Sequence, residues 1–198
     1  MREYPLNQVN NFIEGYYLND LTICDKLIKL FETSDRRKVG QVGSGVVRED
    51  IKQSTDVNLF REDIEKYDEV RLYMGELSNA LNLYKKKYIY CDEKIQNWGL
   101  EGHFNIQKYV PGQAFHGMHC ERAGTATSKR HLVWMTFLND VKEGGETEFF
   151  YQKVKIKPEK GLTLLWSADW TFMHRGLTTI SENKYIITGW FEYKDDEK

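Results

Sequence analysis

Apolar residues recur along this chain at two spacings, and the change from one to the other divides it. Leu21, Cys24, Leu27, Ile28 and Phe31 fall at three- and four-residue intervals and predict one apolar helical face within LTICDKLIKLFETS, capped by Asn19-Asp20. A longer stripe of Ile64, Tyr67, Val70, Met74, Leu77 and Leu81 predicts a second helix from about Arg61 to Tyr84, its charged residues forming a solvated face. NFIEGYYL, residues 11–18, reads as a short strand, and the polar, glycine-rich segment 34–50 as a loop. From about residue 103 the period shortens. HFNIQKYV, QAFHGMH, RHLVWMTFL, TEFFY, VKIK, LTLLW, WTFMH and KYIITGWFEY are aromatic and β-branched runs separated by turns such as PG, NDVKEGG and KPEKG. Helices first and then about eight short strands predict an α+β protein whose strands form a double-sheet jelly roll or a barrel. No Pro- or Ser-rich linker interrupts the chain, so residues 1–198 read as a single domain, and the charged end KDDEK is expected to fray.

Composition narrows the function more than the fold. The 14% aromatic share leans towards a sheet-rich interior. A net charge of −2 with no basic block leaves no electrostatic footprint for nucleic acid or a membrane surface, so neither is expected as a partner. The three cysteines, Cys24, Cys91 and Cys120, are scattered and make neither a zinc spacing nor a disulfide framework, which points to a reducing compartment. MREYPLNQVNNF has no apolar run of the signal-peptide kind and nothing later approaches a membrane span, so the expectation is a cytoplasmic protein of undetermined oligomeric state.

The candidate chemistry centres on Tyr109–Glu121, YVPGQAFHGMHCE. If the run after the Pro111-Gly112 turn is extended, His119 and Glu121 project from one face and Cys120 from the other. An imidazole plus a carboxylate is two thirds of a facial ligand set for non-haem Fe(II). His174 ends WTFMH, 55 residues after His119, and a late strand of a jelly roll can pack beside an early one. Ten residues further, Lys184 opens KYIITGWFEY. If its register turns it inward, it needs an anionic partner that the strand does not supply, and a bound dicarboxylic acid would be one.

From Phe104 to Tyr193 the chain resembles the catalytic domain of 2-oxoglutarate- and Fe(II)-dependent oxygenases, most of all the prolyl 4-hydroxylases. The resemblance rests on YxPG ten residues before the first histidine, the His-x-carboxylate pair, FLNDVKEGGETEF, and a histidine followed ten residues later by lysine. It implies a double-stranded β-helix (jelly roll) catalytic core over 103–193, with residues 1–100 as mainly helical support. It further implies His119, Glu121 and His174 as iron ligands, and Lys184 as the partner of the far carboxylate of 2-oxoglutarate, with Tyr109 and Thr188 in the same pocket. Arg130 matches a substrate-contacting arginine and Trp190 a tryptophan near the metal, so both are expected to face substrate. Fe(II), 2-oxoglutarate, O2 and L-ascorbate follow as cofactors, with a peptide or protein substrate hydroxylated on a prolyl residue as 2-oxoglutarate is converted to succinate and CO2. Trp166, Trp170 and Trp190 are candidate pocket walls, Arg122–Lys129 a modest lid, and His116 and His131 have no metal role.

Two positions depart from the pattern. His-Cys-Glu stands in place of His-x-Asp, which adds a methylene to the carboxylate arm. Phe137 stands where hypoxia-type enzymes place a tyrosine, leaving one hydrogen bond to the far carboxylate missing or supplied by Thr136 or Thr188. Three readings stay open: prolyl hydroxylation, the same chemistry on a free amino acid or another side chain, and a non-catalytic metal-binding jelly roll with a degraded His-x-Glu site.

Overall fold

The longer elements each bury one apolar face, and these faces assemble two antiparallel sheets with a helical layer. The computed structural model describes residues 2–4, 11–43 and 45–195, so the expectation of a frayed end lies outside them beyond Asp195. In chain order the elements are β1 (Glu3–Tyr4), β2 (Glu14–Tyr17), α1 (Thr22–Thr33), β3 (Lys38–Val39), β4 (Thr55–Leu59), α2 (Arg61–Lys66), α3 (Asp68–Lys87) and β5 (Trp98–Gly99). They continue with β6 (Phe104–Tyr109), β7 (Arg130–Phe137), β8 (Thr147–Phe149), β9 (Val154–Ile156), β10 (Leu162–Ser167), β11 (His174–Gly176) and β12 (Lys184–Tyr193).

α1 forms where its periodicity places it. The Asp20 carboxylate accepts the Thr22 N–H at 2.9 Å, satisfying a donor of the first turn, and Ile23, Cys24, Leu27 and Phe31 are buried. The helix expected over 61–84 is instead two. Tyr67 is extended (φ −118°, ψ 117°), and α3 restarts at Asp68-Glu69, where a helix N-terminus favours negative charge. α3 buries Val70 and Leu77 of the expected stripe and adds Tyr73, Ala80 and Tyr84, while Met74 and Leu81 pack partly buried at the edge of the same core. Tyrosines serve here because their hydroxyls find partners: Tyr73 bonds Thr136 at 2.8 Å, and Tyr84 donates to the Phe12 carbonyl at 2.9 Å.

The large sheet runs β1-β2-β10-β7-β12-β6-β4-β3, with β5 pairing β12; the small sheet is β11-β8-β9. β3, β4 and β5 lie outside the strands expected from the sequence. Two expected strands are absent as such. QAFHGMH carries only isolated bridges, Phe115 to Lys52 and His119 to His174, because Gly112 turns at φ +92° and Gly117 approaches Ile51 too closely for a side chain. WTFMH begins as a 3-10 turn, Trp170–Phe172, before β11 starts at His174.

Alternation along the large sheet separates two cores. Phe104, Ile106, Leu132, Trp134, Ile187 and Phe191 face α1 and α3, while Val133, Met135, Phe137, Leu164, Trp166 and Ile186 face the small sheet through Phe149 and Ile156. Two facing antiparallel sheets with helices behind one of them make the fold α+β with a jelly-roll core. No helix among the described residues is long and apolar enough to cross a membrane.

β12 pairs β6 and β7 along its two edges, with Lys184 opposite Tyr109, Ile186 between Gln107 and Phe137, and Thr188 between Asn105 and Met135. Behind it, a Cβ on Gly189 would lie 2.4 Å from Trp134 Cζ2 and 2.7 Å from Phe104 Cβ. Both neighbours are fully buried and cannot retreat. Gly189→Ala is therefore expected to lower stability by about 1–3 kcal/mol, seen as a lower urea midpoint at unchanged m-value; an unshifted midpoint would show that this part of the sheet is loosely packed.

Candidate functional site

His119 and His174 are joined through their backbones, each N–H donating to the other's carbonyl, at 2.9 and 2.8 Å. The pairing sets their rings side by side, centroids 4.3 Å apart. Each Nδ1 donates to a carbonyl two residues upstream, Gly117 for His119 (2.8 Å) and Phe172 for His174 (2.9 Å). A carbonyl can only accept, so Nδ1 carries the proton and Nε2 presents its lone pair. Both Nε2 atoms lie 3.5 Å from Glu121 Oε1, and the three donors fall within 4.8 Å of one another. Two lone pairs and a carboxylate oxygen repel unless a cation joins them, as a proton on one imidazole or as a metal ion. Burial, followed by the adjacent His119, lowers the pKa of His174 and disfavours the proton. Burial also opposes the charge on Glu121, but His119 and His174 outweigh it and hold the carboxyl well below its usual range. Phe115 stacks on His119 at 3.8 Å, and Trp166 meets His174 edge-on at 5.2 Å, fixing both rings. The residues present thus fit a divalent metal, and two nitrogens with one oxygen suit Fe(II).

The second carboxylate oxygen of Glu121 is engaged elsewhere. Trp190 Nε1 donates to Oε2 at 2.9 Å, and Arg130 Nη1 donates to Oε2 at 3.2 Å and to the Glu121 carbonyl at 3.1 Å. The guanidinium lies 3.5 Å above the Trp190 ring. These two residues, expected to face substrate, line the cavity and also bond Glu121, whose longer arm reaches them.

Lys184 lies farther along β12. It is 4% exposed, its Nζ donates to the Gly145 carbonyl at 2.6 Å, and the rings of Tyr109 and Phe137 stand 5.6 and 5.3 Å away. Among the described residues no carboxylate comes within ion-pair distance of it. Burial pulls its pKa down to about 8, with Glu146 opposing. A buried ammonium whose hydrogen-bond partner is one neutral carbonyl describes a slot for an anion. Tyr109 is its cross-strand neighbour. Thr188 faces the same way but gives its proton to the Trp134 carbonyl at 2.8 Å. Thr136 cannot supply the bond absent at Phe137: alternation turns it to the helical side, where it bonds Tyr73 and Thr163.

One cavity of about 560 Å³ joins these features, and His119, Glu121, His174, Lys184, Tyr109, Thr188, Arg130 and Trp190 all line it. Sequence reasoning missed its polar wall. Lys52 Nζ meets Asp56 Oδ2 at 2.6 Å, both side chains buried. Tyr109 donates to Gln107 Oε1 at 2.5 Å, and Gln107 in turn to Asn105 Oδ1 at 2.6 Å. The signal was present in TDVNL and FNIQKY, where apolar and polar residues alternate as in a half-buried strand. The expected lid contributes Ala123 and Thr127 to the rim, anchored by Arg122 on Asp169, and Gln41, Val42 and Gly45 line the opposite rim. Trp166 is a wall as expected; Trp170 is 64% exposed and is not. His116 and His131 stay off the lining, His131 bonding Cys91 and Tyr193 instead.

The state of Lys184 gives a pH test. Its folded pKa lies below the unfolded value near 10.5, so between about 8 and 10.5 the unfolded chain holds a proton that the folded one has released. Stability therefore rises with pH across that window, and the full burial cost applies below it. The stability of Lys184→Met minus that of wild type, from urea unfolding at a series of pH values, is expected to be largest near pH 7.5 and to shrink by up to roughly 3 kcal/mol towards pH 10.5. A flat difference would mean the ammonium is already solvated.

Part of the chain, and its fold as a whole, are similar to known proteins. A family model described as the 2OG-Fe(II) oxygenase superfamily matches residues 104–192. Probable prolyl 4-hydroxylase 9 of Arabidopsis thaliana is 27% identical over 121 residues, 48% of this chain, and the chain spans 42% of that relative's length. Among solved structures, the viral collagen prolyl hydroxylase of Paramecium Bursaria Chlorella virus-1, in its 2OG complex, aligns with TM-score 0.68 at 21% identity over 93% of this chain and 98% of that one. A prolyl hydroxylase from Trichoplax adhaerens, in complex with a hypoxia inducible factor oxygen degradation domain peptide fragment, aligns with TM-score 0.72 at 17% identity over 93% and 84%. The fold agrees with those structures, and the matched segment is similar to the 2OG-Fe(II) oxygenase superfamily and, within it, to the prolyl 4-hydroxylases.

Proposed function

We propose that this chain is an Fe(II)- and 2-oxoglutarate-dependent dioxygenase that hydroxylates a prolyl residue in a peptide or protein. The observation that carries the reading is the coexistence, in one cavity, of three convergent metal donors and an unpaired buried ammonium. His119, Glu121 and His174 would hold the iron, and Lys184 would pair with the far carboxylate of 2-oxoglutarate, a charge-assisted bond stronger than a neutral one. The bound iron, with 2-oxoglutarate and O2, supplies oxidative decarboxylation to succinate and CO2 coupled to transfer of the second oxygen atom into a substrate C–H bond.

The chain's own part is orientation and exclusion of water. The two Nδ1-to-carbonyl bonds keep each imidazole aimed with its lone pair inward. Met135, Ile186 and Trp166 make the inner wall apolar, so a dicarboxylate entering it is drawn to Lys184. The Asn105–Gln107 ladder offers amide donors and acceptors of the kind that a peptide backbone requires. A peptidyl proline agrees with the relatives' names and with the peptide bound in the Trichoplax adhaerens structure, and the choice among proline-containing sequences rests on the rim loops.

The test is succinate formation from 2-oxoglutarate with Fe(II) and ascorbate, with and without proline-rich peptides. Turnover is expected to rise with peptide and to fall at least about 100-fold in both Glu121→Ala and Lys184→Ala. Failure of the protein to bind either Fe(II) or 2-oxoglutarate would overturn the reading; peptide-independent turnover would keep the cofactor site and reject the prolyl substrate.

A further inference from the structure

We propose that Trp190 and Arg130 are positioning residues for Glu121, which keep its carboxylate bound to a metal through one oxygen. The proposal rests on the reading of His119, Glu121 and His174 as metal ligands. A glutamate side chain has one more rotatable bond than aspartate and can present one oxygen, both, or neither to a neighbouring ion. Here Oε1 faces both imidazole Nε2 atoms, at 3.5 Å each, and Oε2 is turned away onto two donors, the Trp190 indole at 2.9 Å and Arg130 Nη1 at 3.2 Å. The same Nη1 also holds the Glu121 carbonyl at 3.1 Å, so one guanidinium nitrogen grips both ends of the residue.

The clamp is itself held. Arg130 stacks on Trp190, and Glu192 stands 3.7 Å from its Nε. The pairing of β7 and β12 slips by one residue between Phe191–Leu132 and Glu192–Arg130. Were His131 paired in regular register, alternation from Leu132 would turn Arg130 towards the helices. With His131 left out of the ladder, Arg130 shares the inner face of Trp190 and Glu192. With Oε2 occupied, the metal receives one oxygen from Glu121, and a coordination position that chelation would close stays open for a ligand.

The test measures Mn(II) binding calorimetrically to the metal-free full chain, with melting temperatures recorded alongside. The variants are Trp190→Phe, Arg130→Gln, Glu121→Asp, Trp190→Phe combined with Glu121→Asp, and Glu121→Ala. Trp190→Phe and Arg130→Gln are each expected to weaken Mn(II) binding about 10- to 100-fold, with the metal-free protein still melting in one cooperative transition. In Glu121→Asp the carboxylate ends about 1.5 Å short and no longer reaches the indole, so adding Trp190→Phe should change affinity less than about twofold. That dependence on the glutamate arm is a readout that a merely structural role would not give. Tight Mn(II) binding by wild type that neither Trp190→Phe nor Arg130→Gln alters would overturn the clamp and leave the ligand trio standing. So would an equal loss from Trp190→Phe in the wild-type and Glu121→Asp backgrounds. Mn(II) affinity that is the same in wild type and in Glu121→Ala would overturn the trio and the clamp with it.

Discussion

β12 is hydrogen-bonded along both edges, to β6 on one side and β7 on the other, and much of the site is determined by that confinement. A strand held in two ladders cannot rotate about its axis, so its residues divide strictly between two faces. Lys184, Ile186, Thr188 and Trp190 go to the cavity; Tyr185, Ile187, Gly189 and Phe191 go to the helical layer. A slip of one residue would exchange Lys184 for Tyr185 and empty the anion slot. The aromatic packing around Gly189 resists such a slip. The register of the strand that presents the cation is thus held by aromatic side chains of β6 and β7, behind which Tyr73 of α3 packs on Trp134.

The other half of the site is built differently. His119 and Glu121 lie on an irregular segment whose order comes from bridges, to Lys52 on one side and to His174 on the other. The mutual backbone bonds of His119 and His174 join regions far apart in sequence, and the small sheet holds His174 through β8. One end of the cavity is therefore part of a rigid ladder, and the other is a seam between two sheets. Their combination places a cation-seeking trio and an anion-seeking lysine in one enclosure.

Much of this was legible in the sequence where one period ran long enough to be unambiguous. KYIITGWFEY has the bounds of β12, and α1 follows its stripe closely. His119, Glu121, His174 and Lys184 converge on the cavity as their spacing suggested. What could not be read depends on contacts distant in sequence. Tyr67 continues the apolar stripe of a helix that in fact breaks there. Thr136 reads as available until the face of β7 is known. The alternation of β4 is present but spans only five residues, and nothing in it shows that its Asp56 completes a buried ion pair with Lys52. Arg130 and Trp190 could be placed near the metal but not on Glu121, since the bulge between Phe191 and Glu192 is a property of paired strands.

That bulge also bears on how such a site can change over generations. A one-residue insertion in a paired strand ordinarily sends every residue beyond it to the opposite face, and a centre built on that strand would be lost. Here the extra residue, His131, is set outside the ladder, and Arg130 and Leu132 keep the faces that uninterrupted alternation would give to neighbours in sequence. Deleting His131 would leave Arg130 opposite Glu192 and still turned to the cavity, at the expense of the histidine's bonds to Cys91 and Tyr193. The paired strands can therefore take up or give back one residue at this end without turning Arg130 away from the cavity.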